Sequence, residues 1–237
     1  MSGCSSLVPV AEPAVPLAGD LPPALSVKAW KHMTFPGKVA TRFSDVRQDG
    51  RQAVLAQAES SASMLRHPVH IASQDLGRVT FSWKVPALMA QADLALREKS
   101  DAPVRLVLAF EGDRSRFSAK DAMLSELSHA LTGEPMPYAT LMYVWSNTQP
   151  VGTVIKSPRT DRIRKLVVAS GADKLNQWLD YERTIAADFE MAFGEAPGAL
   201  VGVGIMTDSD NTRSTTQAWY GPIGFGPLRS SPQVVQK

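Results

Sequence analysis

The sequence predicts a mainly β fold with one long helix, arranged as an antiparallel β-sandwich. Three observations predict it. Short runs alternate apolar and polar residues with period two, as half-buried strands do. Seventeen prolines and sixteen glycines are spread along 237 residues, which suits many strands and turns better than a helical bundle. One stretch, about Asp173 to Phe193, keeps near-helical spacing through Trp178, Ile185, Phe189 and Phe193 and closes at Gly194.

The chain divides into three parts. Met1-Ser2-Gly3-Cys4-Ser5-Ser6 resembles the end of a bacterial lipoprotein signal, in which the cysteine becomes the lipidated first residue. The charged and apolar regions of such a signal do not precede it, so this reading places the true start further upstream. The alternative is a plain N-terminus with an exposed cysteine. Residues 5–26 hold Pro9, Pro13, Pro16, Pro22 and Pro23, which predict an extended tether. Residues 27–228 are expected to form a single sandwich domain, and 229–237 a disordered tail. Cys4 is the one cysteine, which excludes an intrachain disulfide.

Within the domain, Thr41–Val46 and Ala53–Ala58 read as a hairpin around Gln48-Asp49-Gly50. Val79–Val85 is a half-buried strand with Val79, Phe81, Trp83 and Val85 on one face. Val104–Glu111 follows, with Val104, Leu106, Leu108 and Phe110 inward and Arg105 on the opposite face. Ser118 caps a helix to Leu131, whose apolar stripe is Met123, Leu124, Leu127 and Leu131 and whose end is Gly133. Leu141–Trp145 is apolar on both faces, as in a central strand. Ile163–Ala169 is the next strand, with Arg159, Arg162, Arg164 and Lys165 at its entrance. Leu200–Phe225 reads as a second hairpin, two alternating runs around a polar bend, Asp208 to Thr212, that protrudes at the rim.

A net charge of +2 gives no case for nucleic acid, and no run approaches the roughly 18 apolar residues of a membrane span. On this reading the membrane is reached only through a lipid at Cys4, in the periplasm or at the outer membrane.

Several stretches together resemble a known bacterial family, the domain of unknown function 3047 (DUF3047). They are SASMLR at 61–66, FSWKV at 81–85, DAPVR at 101–105, LMYVWSN at 141–147, DKLNQWLDYERTIAADFEMAFGEAP at 173–197, and MTDSDNT with AWYGPI between 206 and 223. They cover most of residues 27–225. The resemblance implies a bacterial envelope protein with a jelly-roll sandwich similar to carbohydrate-binding modules; sugar binding follows from that by analogy alone. Pro222 departs from the family, where Asp usually follows Tyr-Gly, and takes an oxygen and a backbone donor from that segment.

Candidate chemistry gathers in two places. Asp208, Asp210 and Asn211 offer hard oxygens to a structural calcium ion, the one cofactor the sequence suggests; the same side chains equally cap backbone N–H groups in a turn. Asp101, Arg105, Trp219 and Tyr220 make a candidate ligand face, with aromatic rings for sugars and fixed charges for hydroxyls. Trp83 and Trp145 are expected in the core. The favoured function is non-catalytic binding of a glycan or other envelope component. The alternatives are a jelly-roll hydrolase or lyase using Asp101, Glu111, Asp208 or Asp210, and a structural lipoprotein with a protein partner.

Overall fold

A computed structural model describes residues 22–228. Cys4, most of the proline-rich segment and the tail 229–237 lie outside them. Thirteen strands and two α-helices occupy the described residues. In chain order the first strands are β1 (Lys31–Thr34), β2 (Arg42–Gln48), β3 (Arg51–Glu59), β4 (Ala62–Ile71), β5 (Arg78–Lys84) and β6 (Ala102–Phe110). Helix α1 (Ala119–Thr132) follows, then β7 (Ala139–Ser146), β8 (Val154–Lys156), β9 (Ile163–Ser170) and β10 (Trp178–Thr184). Helix α2 (Ile185–Phe193), β11 (Leu200–Asp208), β12 (Thr215–Tyr220) and β13 (Gly224–Gly226) complete the chain.

The strands form two sheets. One runs β1-β4-β11-β6-β7-β9-β8; the other runs β10-β5-β12-β3-β2, with β13 paired to β5. Pairing is antiparallel except between β7 and β9. The core fills the space between the sheets. Val79, Phe81 and Trp83 of β5 face Leu106, Leu108 and Phe110 of β6, all buried. Phe81 stacks on Tyr143 at 5.5 Å and on Tyr181 at 5.0 Å. The period-2 pattern is therefore real burial, worth roughly 1.5–3 kcal/mol for each large side chain. A smaller apolar cluster of Leu94, Val144, Ile155 and Val167 lies on the outer side of the seven-stranded sheet, which explains why β7 is apolar on both faces.

The hairpin β2–β3 forms as its sequence predicts. Asp49 and Gly50 both take positive φ, 52° and 79°, the two-residue turn whose twist matches the strands. Helix α1 is capped by Ser118, whose Oγ accepts from the Asp121 N–H, and ends at Gly133 in the left-handed conformation.

Four expectations are corrected. First, there is no long helix over 173–193. Trp178–Thr184 is strand β10, paired with β5 from Trp178↔Lys84 to Thr184↔Arg78, and only Ile185–Phe193 is helical. Leu179 and Tyr181 alternate inward onto the aromatic core, and that tertiary partner overrides helical spacing. Second, Leu200–Phe225 is not a hairpin. β11 and β12 belong to opposite sheets, so the bend between them crosses the sandwich. Third, that bend does not protrude: Asp208 is 4% exposed and Ser209 fully buried. Fourth, the apolar stripe of α1 faces outward. Met123, Leu127 and Leu131 are exposed, while Asp121 and Ser125 are buried. Asp121 accepts hydrogen bonds from Ser118 and Thr160, which fixes the polar side of the helix against the body.

Candidate functional site

The outward-facing residues of the seven-stranded sheet floor a groove of about 1320 Å³. Its floor reaches from β1 to β9, six strands, or about 24 Å at about 4.8 Å per strand step. Strand alternation places these side chains there: each sits between residues that point into the core. Gly202 and Gly204 on β11 lower the middle of the floor, and Met33, Met64, Met142 and Met206 surround them. Methionine is flexible and polarisable, so this floor can adapt to an irregular apolar surface.

Charge on the groove is uneven. Eight lysines and arginines line it against four carboxylates. Three of those carboxylates are held by cations of the groove itself: Glu134 by Arg66 at 2.6 Å, Asp208 by Arg105 at 2.9 Å, and Asp210 by Lys38. The fourth, Glu111, lies on the loop after β6. Lys31, Arg97 and Arg159 stand exposed along the lining.

The candidate ligand residues from the sequence do not share one surface. Arg105 lies on the groove floor, 3% exposed, its Nε and Nη2 donating to the two oxygens of Asp208 at 3.0 and 2.9 Å. Burial pushes the Asp208 carboxyl above its ordinary range, and the guanidinium opposes that. Asp101 sits at the head of β6, fully used: it accepts from the Asn211 N–H and Nδ2 and from the Thr212 N–H and Oγ1, at 2.6–3.2 Å. Tyr220 points between the sheets. Its hydroxyl donates to the Met206 carbonyl at 2.6 Å, meets Thr207 Oγ1 at 2.8 Å and accepts from the Arg105 N–H at 3.2 Å. Trp219 faces outward from the other sheet, with the Lys84 ammonium 5.9 Å from its ring centre.

The three aspartates do converge. One carboxylate oxygen from each of Asp101, Asp208 and Asp210 lies within 4.8 Å of the others. Their oxygens already accept from the bend, from Arg105 and from Lys38, and Asn211 turns its amide toward Asp101. The arrangement is that of a hydrogen-bonded turn locking two sheets together.

Two groove residues escape a reading by motif. Lys165 is 4% exposed on β9; its Nζ donates to the Leu94 carbonyl at 2.8 Å and to Ser100 Oγ at 2.6 Å. Burial, with Arg105 nearby, lowers its ammonium from 10.5 to about 7. Ser100 lies in the loop before β6, part-buried, and lines the groove. The signal for Lys165 is in the strand: it shares a period-2 face with Ile163 and Val167 and so interrupts an apolar row. Ser100 has no such signal, because only the folded loop brings it across to β9.

The family model described as "Protein of unknown function (DUF3047)" matches residues 28–224. The chain belongs to the DUF3047 family. No curated protein matches this DUF3047 chain. Among solved structures, it is similar to the xyloglucanase domain of NopAA, a type three effector from Sinorhizobium fredii in complex with cellobiose, at 10% identity and TM-score 0.41 over 86% of this chain and 97% of that one. It is also similar to a cellulase derived from Cel12A of Rhodothermus marinus, at 9% identity and TM-score 0.40 over 82% and 94%. Endoglucanase 3 of Trichoderma harzianum, from family GH12, gives 8% identity and TM-score 0.44 over 87% and 94%. At such values these likenesses do not extend to activity.

Proposed function

We propose that this chain is an envelope protein that binds an elongated anionic ligand, an acidic glycan in first place, along the groove of the seven-stranded sheet. The observation that carries the reading is the twofold excess of lysine and arginine over carboxylate on a groove about five strand steps long. A groove with fixed cations raises the local concentration of anionic ligands and orients them. The methionine and glycine floor leaves room for the apolar face of a sugar chain. We also read the sandwich as a jelly roll of carbohydrate-binding-module type, because the chain repeatedly changes sheets, from β3 to β4 to β5 to β6 and again from β10 to β11 to β12. A glycosidase reading has less support, since three of the four groove carboxylates are neutralised in ion pairs. We read Met1–Ser6, which resembles the end of a lipoprotein signal, as the place of a lipid anchor at Cys4, in the periplasm or at the outer membrane.

Retention on acidic and neutral polysaccharides, measured from low to high salt, tests the reading. Acidic polymers should be retained, and retention should fall as salt rises. The double variant Arg97→Ala/Arg159→Ala should weaken it about tenfold or more. Gly202→Leu should block the groove, because a Cβ there meets only Ala109 Cβ at 3.5 Å and the His67 carbonyl at 3.9 Å, so the fold accepts it. Equal retention of neutral and acidic polymers would sink the charge argument. Loss on Trp219→Ala, with the groove variants unaffected, would move the site to the other sheet.

A further inference from the structure

We propose that Ser100 and Lys165 form a nucleophile and base with which this chain cleaves acyl esters in the groove. Four observations converge. The Lys165 Nζ lies 2.6 Å from Ser100 Oγ, within proton-transfer reach. The Leu94 carbonyl, 2.8 Å from the same nitrogen, fixes the orientation of the amine. Both side chains line the groove, Lys165 buried and Ser100 part-exposed, so the hydroxyl is open to a ligand while its base is sheltered. Arg105 stands beside them. Its Nη2 donates to the Ser100 carbonyl at 2.6 Å, and Nε and Nη2 are locked on Asp208. Its Nη1 faces only the Met142 thioether, a weak acceptor, at 3.9 Å, and so can turn to an oxyanion.

A lysine buried next to apolar Val144 and Val167 is costly as an ammonium, and a methionine would fill the same space without charge. A nucleophile, a base oriented by a third group, and a cationic donor held by a fourth give the geometry of acyl transfer without histidine. The groups around Lys165 are Arg105 on β6, Asp208 on β11, Arg159 in the loop before β9 and Asp93 in the loop after β5. Arg105, whose charge acts on it most strongly of the four, adds to burial in holding the amine partly neutral near pH 7.

The step balances. Ser100 Oγ bonds to the ester carbonyl carbon, and its proton passes to Nζ. The carbonyl π pair moves onto oxygen, facing Arg105 Nη1. Collapse breaks the bond to the alcohol oxygen, which takes the proton from Nζ and leaves. Water then adds to the acyl-serine, giving its proton to Nζ, and collapse returns that proton to Ser100 Oγ as the carboxylic acid departs. Ester and water become acid and alcohol. This goes beyond the binding proposal, since the scissile ester need not be anionic.

Full-length protein with p-nitrophenyl butyrate, and separately with a fluorophosphonate that captures activated serines, gives the test. Turnover should rise with pH around a midpoint near 7. Ser100→Ala and Lys165→Met should each lower it about a hundredfold or more. Lys165→Arg should not restore it, because a guanidinium does not give up its proton. The fluorophosphonate should add to wild-type protein, with peptide mapping placing it on Ser100; this reading stands even where a Lys165 variant does not fold. No label on folded wild type, label elsewhere than Ser100, or unchanged turnover in Ser100→Ala overturns the proposal. Acidic-polymer retention without ester cleavage removes only this proposal; cleavage without retention removes only the binding one.

Discussion

Lys165 shows how one side chain can set both stability and pH dependence. Its amine is lowered from 10.5 to about 7 by burial, so between those values the unfolded chain holds a proton that the fold rejects. Stability therefore rises with pH across that window, and the penalty is full below about 7. Lys165→Met should melt higher than wild type at neutral pH, and the difference should close toward pH 10.5; thermal melts at several pH values check it, and a constant difference refutes the assignment. Arg105 follows another logic. Its partner, Asp208, lies 103 positions away and across a strand pair, so the obvious local partner, Asp101, is not the one used. Sequence spacing suggests pairing; only the register of β6 against β11 says with whom.

At the scale of elements, local chemistry is legible where an element satisfies itself. The Asp49-Gly50 turn, the Ser118 cap and the Gly133 and Gly194 ends are all present. A Cβ at Gly50 meets nothing within 4 Å, so Gly50→Ala should cost only the strain of positive φ, about 1 kcal/mol, read from the urea midpoint. Elements that answer to a partner are less legible. Trp178–Thr184 carries helical spacing and becomes a strand because β5 offers an unpaired edge and Phe81 an aromatic face. Helix α1 has the expected stripe, but Asp121 and Thr160 decide which side faces the body, and the stripe turns out. The bend Asp208–Thr212 is the third such case. Its carboxylates already accept from backbone and side-chain donors, so calcium or a chelator should leave the melting temperature unchanged; a rise with calcium alone would restore the metal reading.

At the scale of the whole molecule, Tyr220 ties the sheets together. Pro103 in β6 has no N–H to give, and the ladder shifts register between Met206 and Asp208. The Tyr220 hydroxyl, with Thr207 Oγ1 bonded to the Pro103 carbonyl, satisfies the backbone groups left there. Tyr220→Phe should cost about 2 kcal/mol in denaturant unfolding, by leaving buried groups unpartnered; a loss below a few tenths would mean that they find other partners. The groove is likewise a property of the whole. Its basic residues come from β1, β4, β6, β9 and the loops between them, and no short segment is basic enough to announce it.

Local patterning is enough to specify the β-rich class, the core face of most strands, the first hairpin, both glycine helix ends and the DUF3047 family. It could do so because those features depend on neighbours within a few residues, through period, φ and capping. Long-range pairing settles that β11 and β12 lie in opposite sheets, that Asp101 and Asp208 are buried with Asp210 part-buried beside them, and that Ser100 meets Lys165. Those outcomes rest on pairings between residues tens of positions apart, where burial and strand register, not local preference, set the free energy.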